Sequence, residues 1–294
     1  MTAIETRRLT LALPSGPVTI GCDVFGDGPD ALLLPALSSI ATREEMRPLA
    51  EALPGFRCHV PDWPGFGAEP RARLPLSPAA LHGFLDALLA ALPGPYALGI
   101  GAGHAAGYLL AAARRHPGTF GRLVLVAPTW RGPLPTAMGE ARRPLFGRLR
   151  RAVEAPVLGH LLYRINLSTP VIARMMRAHV YADPARVTPD LLADKARVAR
   201  QPGARFGTAA FVTGGLDPVE TRAEFLTLFG PGLPPVLVLR PDKAPRRSGA
   251  EMDALAAAPG VATARVPGAL AAHEEHAEAV AAAILTGGRP GAGS

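Results

Sequence analysis

Short, uninterrupted apolar runs alternate with longer Ala/Leu-rich stretches of helical period along most of the chain. That rhythm predicts an α/β fold, a mostly parallel, doubly wound sheet with helices on both faces. Residues 9–13 and 18–24 flank Pro14-Ser15-Gly16-Pro17, a turn signal that predicts an N-terminal hairpin. Further strands are predicted over 31–34, 57–60, 96–100, 123–126, 236–239 and 261–266. Helices are predicted over 43–53, 76–92, 103–115, 250–258 and from about 275 to 285.

The alternation breaks off at about residue 131 and resumes after 215. The stretch between is mainly helical and predicts a cap over the carboxyl ends of the strands, where open α/β sheets bind ligands. The domain reading is a core over 1–130, a helical cap over 131–215 and the rest of the core over 216–286. A Gly/Pro/Ser-rich tail over 287–294 is expected to be disordered. Within the cap, Leu161-Leu162-Tyr163, Val171 to Met176 and His179-Val180-Tyr181 form an apolar stripe. It reads either as cap core or as the roof of an apolar pocket, with methionine adapting to ligand shape.

Composition narrows the function classes. With 48% hydrophobic and 19% charged residues, the 294-residue chain is ordinary for a globular core. No run of eighteen or more uncharged apolar residues occurs, so no transmembrane segment is expected. MTAIETRRLT has no apolar stretch of the signal-peptide type. Cys22 and Cys58 provide neither a disulfide framework nor metal-type spacing, and a cytoplasmic protein with incidental thiols is expected. The net charge of +7 is nearly all arginine, Lys195 and Lys243 being the two lysines, a bias that GC-rich codon usage produces. With 5% aromatic residues and no recognition motif, no nucleic-acid partner is expected. The cluster from Arg142 to Arg151 reads as a solvated face, or as an approach to a membrane or acidic partner. The eight histidines show no metal-type spacing, so no metal is expected. Gly99-x-Gly101-x-Gly103 followed by Gly107 lacks the acidic residue of a dinucleotide loop, so no cofactor is expected.

The predicted strand 96–100 runs through Gly99-Ile100-Gly101-Ala102-Gly103 directly into a helix. Strand, glycine-flanked turn and helix are the context of the G-x-S-x-G nucleophile elbow, and the helix N-terminus adds a positive dipole and free N–H groups. Asp62-x-Pro64-Gly65-x-Gly67 follows the preceding strand, the run Arg122 to Pro128 contains the next one, and His273-Glu274-Glu275-His276 opens the last helix. In these features, over essentially its whole length, the chain resembles the α/β-hydrolase fold superfamily. The resemblance implies a Ser-His-Asp triad at the strand ends and an oxyanion hole of backbone amides.

The chain departs from that pattern at each chemical position. The nucleophile position is assigned to Gly101, the usual His-Gly pair reads Pro35-Ala36 followed by Leu37, and the acid falls at Ala244. The histidine falls at Leu270 or Ala271. Loss of triad members costs about 10⁶ in turnover, so ordinary acyl-enzyme hydrolysis is not expected. The chain is similar in kind to atypical triad-less members of the superfamily, among them the peptide epimerase of bottromycin biosynthesis. Residues 127–135 and 179–184 also look similar to triad-less relatives from cyanobacteria and plants.

The leading expectation is a binding protein for a largely apolar small molecule or peptide. Its pocket would be formed by Pro35, Ser38, Gly101, His104, Trp130, Met175, Met176 and His179. The alternative is a non-hydrolytic enzyme of epimerase or isomerase type, moving a proton next to a carbonyl. The amides of Leu37 and Ala102 would then form the oxyanion hole, with His104 as base, although His104 reads equally as a packing residue. A third reading is a weak hydrolase using Asp242 and His273 as a displaced pair; the plain alternative is a loop carboxylate and a solvated helix start. Asp62 and Asp217 read as turn or cap residues.

Overall fold

The computed structural model describes residues 4–69, 71 and 73–287, so the predicted tail beyond Gly287 lies outside the described residues. Ile4–Leu13 (β1) and Gly16–Phe25 (β2) form the predicted hairpin around Pro14-Ser15, each longer than its apolar run. Asp30–Leu34 (β3), Arg57–Pro61 (β4), Leu98–Ala102 (β5), Leu123–Val126 (β6), Val236–Pro241 (β7) and Val261–Val266 (β8) complete one eight-stranded sheet. Its order is β1-β2-β4-β3-β5-β6-β7-β8. β2 is antiparallel to β1 and β4, and every pairing from β4 to β8 is parallel.

Residue alternation along the strands divides the core in two. Leu32, Leu34, Leu123, Leu125 and Val238 face one apolar cluster, and Ala31, Leu33, Val124, Val126 and Leu237 face the other. Arg47–Glu51 (α1) covers the second face, whereas Pro78–Ala91 (α2) and Ala105–Arg115 (α3) cover the first. α2 starts where Ser77 accepts the Ala80 amide and Pro78 presets the first turn. Arg43–Met46, predicted as the start of the α1 helix, is instead a 3-10 turn capped by Thr42.

Between β6 and β7 the chain is helical. Pro133–Met138 (α4), Arg143–Glu154 (α5), Leu158–Asn166 (α6) and Thr169–Met175 (α7) lead into a π-type turn at Met176–Val180. Pro189–Ala199 (α8), Ala204–Val212 (α9) and Arg222–Thr227 (α10) follow. Arg246–Ala256 (α11), Ala272–Glu275 (α12) and Ala277–Leu285 (α13) close the fold. No helix among the described residues is long and apolar enough to cross a membrane.

One shift bears on the site. The strand predicted over 96–100 lies at Leu98–Ala102, with Tyr96 forming an isolated bridge to Phe120. Gly99 and Gly101 are strand residues, so the turn falls later than their spacing suggested.

Candidate functional site

The sharp turn between β5 and α3 is at Gly103. Its φ is +52°, in the left-handed region, and an added Cβ would meet only Ala36 Cβ at 3.5 Å and Thr129 Oγ1 at 3.9 Å. Gly101 is in register with Leu34 on β3 and Leu125 on β6. A Cβ on Gly101 would approach the backbone of Ala106 to 3.1 Å at Cα and 3.2 Å at N. Gly101 therefore serves the close approach of α3 to the sheet. This corrects its assignment as the nucleophile position: the G-x-S-x-G register runs Gly101-Ala102-Gly103-His104-Ala105. Repeated glycines two apart fit both registers by spacing, and the backbone conformation selects the second.

The amide assignment moves with the turn. Ala102 is a fully buried strand residue, and the residue after the turn is His104. Leu37, on the loop after β3, is also buried. Neither the Leu37 nor the His104 amide donates a hydrogen bond among the described residues. These are the two main-chain positions from which an elbow builds an oxyanion hole.

The residues assigned by spacing to the acid and histidine positions have apolar side chains. Ala244 follows β7, half-buried, with its amide on Pro241 O at 3.4 Å. Leu270 is half-buried, and the Ala271 amide donates to Val180 O of the cap at 2.9 Å. Ala271 and Ile40 belong to the same apolar cluster as Ile172, Met176 and Tyr181, so the cap core closes directly onto the strand-end loops.

Asp242 and His273 do not form a pair. Asp242 is exposed, and its Oδ1 accepts the Gly268 amide at 3.1 Å, a turn role. His273 is 1% exposed, which overturns its reading as a solvated helix start. Its Nε2 lies 3.3 Å from Glu45 Oε1, and neither ring nitrogen completes a hydrogen bond. Glu45 Oε1 also accepts the Ala36 amide at 2.7 Å. Nothing in the sequence singled out Glu45. Thr42-x-x-Glu45 has the spacing of a capping box, but the carboxylate reaches the loop after β3 instead. Glu274 and Glu275 are likewise engaged by the cap. Tyr181 Oη donates to Glu274 at 2.7 Å, and the Ala182 and Asp183 amides both donate to Glu275 at 2.8 Å.

His104 is held away from base chemistry. Its Nε2 contacts Leu216 O at 2.7 Å, and Asp217 Oδ1 lies 3.6 Å away. Burial lowers its pKa to about 4, leaving a neutral imidazole of low basicity, with Nδ1 unpartnered. Asp217 accepts the Gly132 amide at 2.7 Å and pairs with Arg143 at 2.9 Å. Burial nevertheless raises its pKa to about 7.

The predicted pocket residues have separate partners. Trp130 is buried, stacked on Phe225 and donating Nε1–H to Glu251 at 3.1 Å. Met176 lies in the cap core with Met175 packed against it, and His179 is exposed. Pro35 accepts the Trp63 indole N–H at 2.8 Å, and Ser38 Oγ accepts the Ile40 amide at 3.3 Å. A cavity of about 270 Å³ lies elsewhere, between the hairpin and the loop after β4, against Ile20, Trp63, Phe66 and Arg71.

The sheet order, the turn at Gly103 and the strand-end loops define an α/β-hydrolase. The alpha/beta hydrolase family model matches residues 31–283, and the chain belongs to that family. Solved structures share the fold. A thermophilic esterase from Thermogutta terrifontis has TM-score 0.71 and 21% identity, covering 95% of this chain and 97% of that one. A hydrolase from Pseudomonas aeruginosa has TM-score 0.69 and 19% identity, covering 95% and 97%. A haloalkane dehalogenase variant from Bradyrhizobium elkanii has TM-score 0.68 and 15% identity, covering 97% and 96%. Comparison with curated proteins gave no match.

Proposed function

We propose that this chain is a non-hydrolytic member of its family that binds a small, largely apolar molecule or peptide at the Gly103 turn, beneath the cap. One observation carries the reading: the turn has no nucleophile, yet the Leu37 and His104 amides beside it are uncommitted. Such amides suit a ligand carbonyl or carboxylate oxygen, and the cluster of Ile40, Ile172, Met176 and Ala271, which joins the cap to the strand-end loops, suits an apolar body. Because those side chains pack together, ligand entry loosens the cap. The buried free thiols Cys22 and Cys58 fit a cytoplasmic setting.

A thermal-shift screen of apolar carboxylic acids, ketones and short apolar peptides tests the reading. A subset is expected to raise the melting temperature of the wild type and to lose that effect in Gly103→Leu, whose side chain fills the turn. No stabilisation by any compound, or ester turnover above background, would overturn it.

The same amide pair favours a second reading, proton exchange next to a carbonyl through a stabilised enolate. With His104 neutral and tied to Leu216, the base in that reaction comes from the substrate. Deuterium incorporation from solvent into a bound peptide is the expected sign, and its absence from every bound peptide removes the reading.

A further inference from the structure

We propose that the outward face of the α5–α6 hairpin docks on an anionic lipid surface. Seven of the ten large apolar side chains exposed among the described residues lie between Leu145 and Val171, and Val157, between the two helices, is 85% exposed. On α6, Leu158, Leu161 and Ile165 recur at helical spacing on the side opposite buried Gly159 and Tyr163. On α5, exposed Leu145 and Leu149 are one turn apart while Phe146 is buried.

The charge has the matching sign. Residues 141–177 contain eight arginines and one glutamate, an excess equal to the +7 of the whole chain. Arg143 and Arg150 are engaged by Asp217 and Glu154. Arg148, Arg151 and Arg164 are exposed and hold no ion pair among the described residues. Apolar side chains interleaved with arginines on projecting helices suit a lipid interface, which accepts both the leucines and the cations. A second copy of the chain fits poorly, because it would set this arginine excess against itself.

The test is flotation of the full chain with vesicles of phosphatidylglycerol and phosphatidylcholine, against phosphatidylcholine alone. Flotation is expected only with the anionic vesicles, diminishing with added salt. Leu158→Ser/Leu161→Ser is expected to abolish it, and Arg148→Ala/Arg151→Ala to weaken partitioning by about tenfold or more. Both variants change exposed residues, and an unchanged circular dichroism spectrum establishes that they fold. Absence of flotation on anionic vesicles, equal flotation on neutral ones, or flotation indifferent to the leucine substitutions overturns the proposal. Concentration-dependent dimers disrupted by the leucine substitutions, without flotation, would assign the face to self-association instead.

Discussion

Nε2 of His273 lies 3.3 Å from Oε1 of Glu45, and the same oxygen accepts the Ala36 amide at 2.7 Å. One buried carboxylate thus connects α12 to the loop beside the Gly103 turn. Glu45→Ala leaves the Ala36 amide without its acceptor and is expected to cost about 1–3 kcal/mol in urea unfolding. Glu45→Gln keeps an acceptor oxygen and is expected to cost less. Hydrolysis of p-nitrophenyl acetate is expected at background in the wild type and unchanged in His273→Ala. A rate in the wild type that disappears in His273→Ala would restore a displaced acid–base pair.

The distinction between Gly101 and Gly103 has a direct stability test. At Gly103 the Cβ of a serine makes only ordinary van der Waals contact, and the substitution loses the left-handed backbone allowance, about 1–2 kcal/mol. At Gly101 a serine is driven into the backbone of α3, where neither Ala105 nor Ala106 has a flexible end to yield. Gly101→Ser is therefore expected to give the lower urea midpoint. Gly103→Ser alone is expected to show no ester turnover, because Ala244 and Leu270 supply neither acid nor base. The reverse order of midpoints would return the vacant position to Gly101.

Period and spacing made the sheet readable from the sequence, because Ala31–Leu34 and Leu123–Val126 are buried on both faces and read as unbroken apolar runs. The assignment of the acid and histidine positions to Ala244 and Leu270 or Ala271 was likewise counted from those strands. The turn itself was not readable, because Gly99, Gly101 and Gly103 carry no side-chain information and differ only in backbone conformation. The surroundings of the pocket candidates were hidden for a related reason. Trp130 and Met176 have the composition of pocket walls, but residues distant in sequence, Glu251 and Phe225 for Trp130 and Ile40 and Ala271 for Met176, draw them into cores. Glu45 went unnoticed because its partners lie on segments whose proximity the chain order does not announce.

Arg43 provides a sharper energetic case. Its Nε lies 2.9 Å from Asp23, and both its Nη1 and its backbone amide donate to Asp62, all three side chains being nearly buried. Burial raises the Asp62 pKa, with Arg43 opposing the shift. Gly21 and Gly67 make room for the cluster: a Cβ on Gly21 would strike the guanidinium at 2.5 Å and one on Gly67 the Asp62 carboxyl at 2.7 Å. Arg43→Met leaves two buried carboxylates uncompensated and is expected to cost about 3–5 kcal/mol in chemical denaturation. Loss of less than about 1 kcal/mol, the range of an exposed pair, would show that the cluster is solvated.

His104 and Asp217 set opposing pH dependences on the same stability. Asp217 holds its proton up to about pH 7 in the folded chain, whereas an unfolded aspartate releases it near about 3.9. Across that interval the folded state binds the extra proton, so this contribution is full below about pH 4 and is lost as pH rises toward 7. His104 runs the other way. It titrates at about 4 when folded and near about 6.5 when unfolded, so its contribution is lost as pH falls from about 6.5 toward 4. In the wild type the two slopes offset each other between about pH 4 and 6.5, and a nearly flat contribution is expected from the pair. His104→Gln removes the rising part, and its stability relative to wild type should fall with pH by up to about 1.4 kcal/mol per pH unit. Asp217→Asn removes the falling part and should show the opposite slope. Urea midpoints measured at half-unit steps from pH 4 to 7 decide it. Parallel slopes in the two variants would mean that the buried histidine and carboxyl do not titrate as their surroundings dictate.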